Sequence, residues 1–217
     1  MNNTDLQGYA ISQALNELEK FATEVDTLVD LVKAKIPKFF AQSTEYKLGE
    51  IEYSEEVAEC GLFCNWKGLS VPVLKKKNKT NEEGYLFFQF SFYGDYVKNQ
   101  LNSEYPQGMP LIHISFWDHP LEAEESAMAY PINPSDFEPN SLQLQSKNSL
   151  IVWESENSFE WTYSIPLLHV VASNIDELLL NPAYDLIHTN ELTLTHQLEK
   201  SIISYPDIEN IGNHNTR

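Results

Sequence analysis

His113, Asp118 and His119, in the stretch HISFWDHP, come closest of any residues in this chain to a metal or acid–base set. Imidazole and carboxylate are the donors that zinc binding and general acid catalysis use. Their spacing argues against a shared site. If PLIHISFW (110–117) is a strand, Leu111, His113, Ser115 and Trp117 face one way and Ile112, Ile114 and Phe116 the other. A strand prolonged to residue 119 sets the two histidines about 20 Å apart. It also turns Asp118 away from both. Pro120 makes even that prolongation doubtful. The expectation is a buried, hydrogen-bonded His113 and no metal centre.

Other constellations fare no better. His188 and His196 stand two helical turns apart, about 12 Å, too far to share an ion. In WESENSFEW, Glu154 and Glu156 share a strand face and are a pair that magnesium uses. No lysine follows at Ser158 to support phosphate chemistry, so a nuclease is not expected. Cys60 and Cys64, in CGLFC, sit about 13 Å apart on a strand, beyond disulfide reach. They are expected to be reduced, packed thiols. Nucleophile elbows, phosphate-binding loops and dinucleotide fingerprints are absent.

Charge is the feature that excludes most. The 217 residues carry 32 acids against 14 lysines and arginines, a net charge of −18. Residues 99–217 hold 17 of those acids against only Lys147, Lys200 and Arg217. That half repels nucleic acid and anionic membrane and attracts basic partners. Arg217, at the terminus, is the only arginine. The folded body therefore has no guanidinium fork for a phosphate or carboxylate ligand. The one lysine cluster, Lys75, Lys76, Lys77 and Lys79, lies in a polar stretch that reads as a solvated hairpin loop.

The elements that must position these residues begin with TDLQGYAISQALNELEKFATEVDTLVDLVKAKIP. Thr4 and Gln7 make a capping-box pattern. Ile11, Leu15, Leu18, Ala22, Val25, Val29, Val32 and Ile36 recur at steps of three and four. The pattern predicts a helix over about 5–36, stopped by Pro37. At 1.5 Å per residue it is about 48 Å long, against a radius of gyration near 17 Å for a domain of this size. It must either cross the whole sheet or project and pair with a partner.

Strands are expected at 45–54, 58–66 and 69–74, the last demoted to an edge by Pro72. Stronger ones are expected at 85–93 and 110–117, with a helical turn at 95–102 between them. Residues 141–155 and 159–167 read as two strands paired around an ENS turn. A helix then starts at a Ser173/Asn174 cap and is interrupted at Pro182. Tyr85, Phe87 and Tyr93, Trp117 with His113, and Phe159, Trp161 and Tyr163 are three aromatic sets that would make one contact face if they fell on the same side of the sheet.

Runs segregated in this way predict an α+β fold, with the long N-terminal helix packed on a mainly antiparallel sheet of about six strands and with C-terminal helices. A single domain over 1–206 and a flexible tail over 207–217 are expected. Neither a signal peptide nor a membrane-spanning run is evident, which places the chain in the cytoplasm.

The function expected is non-catalytic, with no cofactor and no metal. The chain reads as an acidic domain that neutralises or adapts a basic protein partner, as a toxin-immunity protein does. Its docking residues would be Trp117, Asp118, Glu122, Glu124, Glu125, Trp153, Glu154, Glu156, Glu160 and Trp161. Direct nucleic-acid and membrane binding are not expected, and the long helix offers a homodimer interface. Two alternatives stand beside this: a nucleic-acid mimic that inhibits a DNA-binding protein, and a hydrolase with a non-local carboxylate or His/Asp site.

Overall fold

The computed structural model describes residues 3–57, 64–77, 82–92, 110–120, 142–147, 149–154 and 159–204. Tyr93, the expected turn at 95–102 and the tail at 207–217 lie outside them. The fold is α+β, as the element order predicts. Helix α1 (Asn3–Phe40) leads into β1 (Tyr46–Leu48), β2 (Glu52–Val57), β3 (Cys64–Lys75), β4 (Glu82–Ser91) and β5 (Leu111–Trp117). Then come β6 (Leu142–Gln145), β7 (Leu150–Glu154), β8 (Phe159–Pro166), α2 (Asn181–Thr189) and α3 (His196–Ser201). The strands form one antiparallel sheet in the order β1-β3-β4-β5-β8-β7-β6, with β2 also paired to β3.

The sheet has eight strands, because two of the seven expected segments split in two and the segments at 58–66 and 69–74 join into the single strand β3. Residues 45–54 divide at Gly49, whose N–H donates to the Pro72 carbonyl at 2.8 Å. A Cβ at Gly49 would stand 2.9 Å from the Pro72 ring, so only glycine fits. Residues 141–155 are themselves a hairpin, turned by Ser146 and Lys147 at φ 50° and 60°. No glycine announces that turn, which is why the segment reads as one strand.

Pro72 does not make β3 an edge. The strand is paired on both sides. A strand residue aims its N–H and C=O to the same side, and the Pro72 carbonyl faces Gly49. The missing N–H therefore falls at the gap between β1 and β2, where no ladder bond is lost. Pro37 likewise fails to end α1. The helix runs one turn further because Phe40 is buried and its ring meets Tyr184 of α2, with centroids 5.3 Å apart.

Registers sort the side chains into two faces. Phe88, Ile114 and Tyr163 stand in one row across β4, β5 and β8. Leu86, Phe116 and Trp161 form the next. This apolar face packs with Val25, Val29, Val32 and Ile36 of α1 and with Leu178, Leu179, Ala183 and Leu186. Burying rows of this size is the main stabilising contribution to the fold.

The C-terminal helices are tied to this face by one hydroxyl. Asp176–Leu180 forms a wide π-helical turn leading into α2. The Leu178 carbonyl would normally accept from residue 182, which is proline and has no N–H. Tyr163 supplies donation there: its buried hydroxyl lies 3.1 Å from the Leu179 carbonyl and 3.4 Å from that of Leu178. Tyr163→Phe should therefore cost about 1–3 kcal/mol, the penalty for orphaning a buried polar group. Denaturant titration checks this; an unchanged midpoint would show that the carbonyls find other partners.

Candidate functional site

The second face of the central strands is polar. Gln89, His113 and Ser164 stand in register there, as do Phe87, Ser115 and Thr162. Ser115 Oγ donates to Thr162 Oγ1 at 2.8 Å. His113 is 2% exposed, and its Nδ1 is 2.8 Å from Ser164 Oγ. It is the buried, hydrogen-bonded histidine that the strand alternation predicts. Burial pushes its imidazole down to about 3, so it is neutral at physiological pH.

The three aromatic sets do not coincide. Tyr85 pairs with Trp117 on the polar face, together with Phe87. Trp161 pairs with Phe116 and therefore lies on the apolar face with Tyr163. Trp161 is completely buried and stacks on both Phe116 and Tyr163, with centroids 6.1 and 6.0 Å away. It is core, which corrects its place among the docking residues. Parity decides this: one residue's difference in register moves a side chain to the opposite face.

At the end of β5 the strand gives way to a bend at Asp118 and His119. The expectation that Asp118 points away from His119 holds for a continuing strand and fails here. In the bend the two adjacent side chains turn toward each other, and His119 Nδ1 lies 2.7 Å from Asp118 Oδ1. From neighbouring β8, Glu160 brings Oε1 to 3.7 Å from the same nitrogen and accepts the Asp118 backbone N–H at 3.2 Å. The Trp117 ring lies edge-on to His119, with centroids 6.1 Å apart.

Trp117, Asp118 and Glu160 are thus brought together, and His119 joins them unforeseen. Trp153 is Glu160's cross-strand partner, and Glu154 follows it on β7. Glu122, Glu124, Glu125 and Glu156 lie outside the described residues. A signal for His119 was present: a Pro right after it ends the strand, so strand alternation does not govern residues 118–119.

The two carboxylates differ in environment. The Asp118 side chain is 53% exposed and that of Glu160 only 14%. Burial, then hydrogen bonding and repulsion from Asp118, push the Glu160 carboxyl up to about 7. A hydrogen bond from His119 holds Asp118 below the usual carboxylate range. Ligand atoms of Asp118, His119 and Glu160 all lie within 4.8 Å of one another, a set that one cation could span. No lysine pairs with either carboxylate among the described residues. By contrast Lys20, Lys35, Lys67, Lys75 and Lys147 each meet an acid elsewhere. The arrangement suits accepting a cationic group from outside.

Cys64 is a free, half-buried thiol 3.6 Å from Glu55 Oε2, and Cys60 lies outside the described residues. No helix among the described residues is long and apolar enough to cross a membrane. No known family, curated protein or solved structure matches the chain.

Two pH effects follow with opposite signs. His113 has a folded pKa below its unfolded value near 6.5, so its contribution to stability is full above pH 6.5 and is lost as pH falls toward 3. Glu160 has a folded pKa above its unfolded value, so its contribution is full below about 4.5 and fades as pH rises through 7. His113→Asn should flatten the acid limb of stability between pH 6.5 and 3. Glu160→Gln should remove the decline between about 4.5 and 7. Denaturation midpoints measured across pH test both, and unaltered profiles would contradict the assignments.

Proposed function

We propose that this chain is a non-catalytic acidic binding domain whose partner is a basic protein, neutralised or adapted on binding, a toxin-immunity protein being one such case. The observation that supports this is the meeting of Asp118 and Glu160 beside Trp117. Two carboxylates converge at the rim of the central strands with His119 between them, and among the described residues no lysine pairs with either. An arriving lysine or arginine would relieve that repulsion and hydrogen-bond to both. Trp117 supplies the aromatic body that interfaces use next to such charges. The surplus of acid in residues 99–217 would steer the partner at long range. Self-association through α1 is the second association proposed.

A hydrolase gains one point, because the split carboxylate pKa values resemble an acid–base pair. The two exposed members, Asp118 and His119, weigh against it, since catalytic carboxylates of this kind work in sheltered clefts. A nucleic-acid mimic would need the acids to form a phosphate-like stripe.

The test is affinity capture by the full-length chain from its native host, with a Asp118→Asn/Glu160→Gln chain alongside. The expected result is a basic protein that is released by salt and bound roughly tenfold or more weakly by the variant. A partner displaced by duplex DNA at its DNA-binding surface would favour mimicry. Binding insensitive to salt, or equal binding by the variant, would overturn the proposal.

A further inference from the structure

Helix α1 is divided in a way its sequence pattern is not. The stripe Ile11, Leu15, Leu18, Ala22, Val25, Val29, Val32, Ile36 alternates steps of four and three without a break. That is a 3.5-residue repeat, the seam of a coiled coil. From Val25 onward the stripe is buried on the sheet, whereas residues 8–20 are exposed on every side. Ile11 is 62% exposed, Leu15 50% and Leu18 43%. The boundary is anchored by Phe21, edge-on to Phe92 with centroids 5.9 Å apart, and by the ion pair of Asp26 with Lys67 of β3. Among the described residues nothing buries the exposed part, and helices of about 12–15 residues are marginal in water alone.

We infer that this overhang pairs with the overhang of a second copy, antiparallel, about a two-fold axis between Asn16 and Glu17. The body dictates the direction. In a parallel pair the partner's Val25–Ile36 would run along a seam that the sheet already fills. An antiparallel partner enters from the free end and leaves its own body at the far side. The seam is self-complementary about that axis, as a two-fold interface requires. Leu15 faces the partner's Leu18, and Ile11 faces the partner's Ala22, large against small. Gly8, next in the seam with nothing within 4 Å of its Cβ position, meets the root of the partner helix where a side chain would crowd it.

Charge favours a second copy as well. The flanking positions at the middle of the seam pair Ala14 with Phe21 and Ser12 with Glu19, so no two acids oppose each other there despite the chain's net charge of −18; one step outward, Asp26 falls opposite the partner's Asp5. Asp26, next on the acidic flank, is already occupied by Lys67. Four knobs from each helix make a small interface, so the dimer is concentration-dependent. This pairing deepens and rests on the self-association through α1 proposed above, not on the basic partner, whose surface is a different one.

Sedimentation of the full chain over a concentration series tests it. The expected result is a monomer–dimer equilibrium that Leu15→Asp/Leu18→Asp weakens roughly tenfold or more. Unfolding of that variant at low concentration should stay unchanged, because both side chains are exposed in the monomer. Direction is read by oxidation in a Cys60→Ser/Cys64→Ser background. Leu15→Cys with Leu18→Cys should give a disulfide-linked dimer, and neither alone should. A monomer at every concentration would overturn the pairing. Cross-linking by Leu15→Cys alone would overturn the antiparallel direction.

Discussion

The in-step register of β4, β5 and β8 is the constraint on which the rest of the molecule depends. It sets Phe88, Ile114 and Tyr163 in one row and Gln89, His113 and Ser164 in the next, on opposite faces. The apolar rows seat α1 and the C-terminal helices, and the Tyr163 hydroxyl reaches the carbonyls of Leu179 and of Leu178, the one that Pro182 leaves without a donor. In the polar rows His113 meets Ser164 and Ser115 meets Thr162 across strands, and such partners let a neutral histidine stay in the interior. Shifting one of these strands by a single residue would put hydroxyls under α1 and phenylalanines among the serines.

The same register builds the acidic rim. Glu160 is on the polar face only because Trp161, its neighbour, is on the apolar one. Asp118 and His119 lie where β5 ends, so they are free to turn together above Glu160. Elsewhere three lysines meet acids across elements: Lys67 joins β3 to α1, Lys35 joins α1 to Asp176, and Lys147 joins the β6–β7 turn to α3. None of these three lysines reaches the rim, and among the described residues its carboxylates have no lysine partner.

Much of the architecture was legible from spacing. The long helix, the central strands and the buried His113 follow from periods of 3.6 and 2, which are local and survive any tertiary arrangement. The misplacements share one cause. Intrinsic preference at Pro37, at Pro72 and at the Ser146–Lys147 turn points one way, and the folded surroundings of each settle it the other way. Phe40 found a pocket against α2, Pro72 faced a gap, and two non-glycine residues took left-handed geometry to close a hairpin. Of the rim, Trp117, Asp118 and Glu160 were picked out singly by type. Their convergence and the entry of His119 depend on which strand lies beside which, and spacing along one chain does not contain that.

What the sequence by itself determined is therefore composition turned into force. It set the acidic surplus, the lack of any internal guanidinium, and an apolar stripe of unbroken 3.5 repeat along α1. Tertiary structure alone decided how far the sheet covers that stripe and which carboxylates share space. The reason is that coverage and convergence are pairwise properties of residues distant in sequence, here 42 positions apart for Asp118 and Glu160, and only a folded chain brings such pairs within reach of each other.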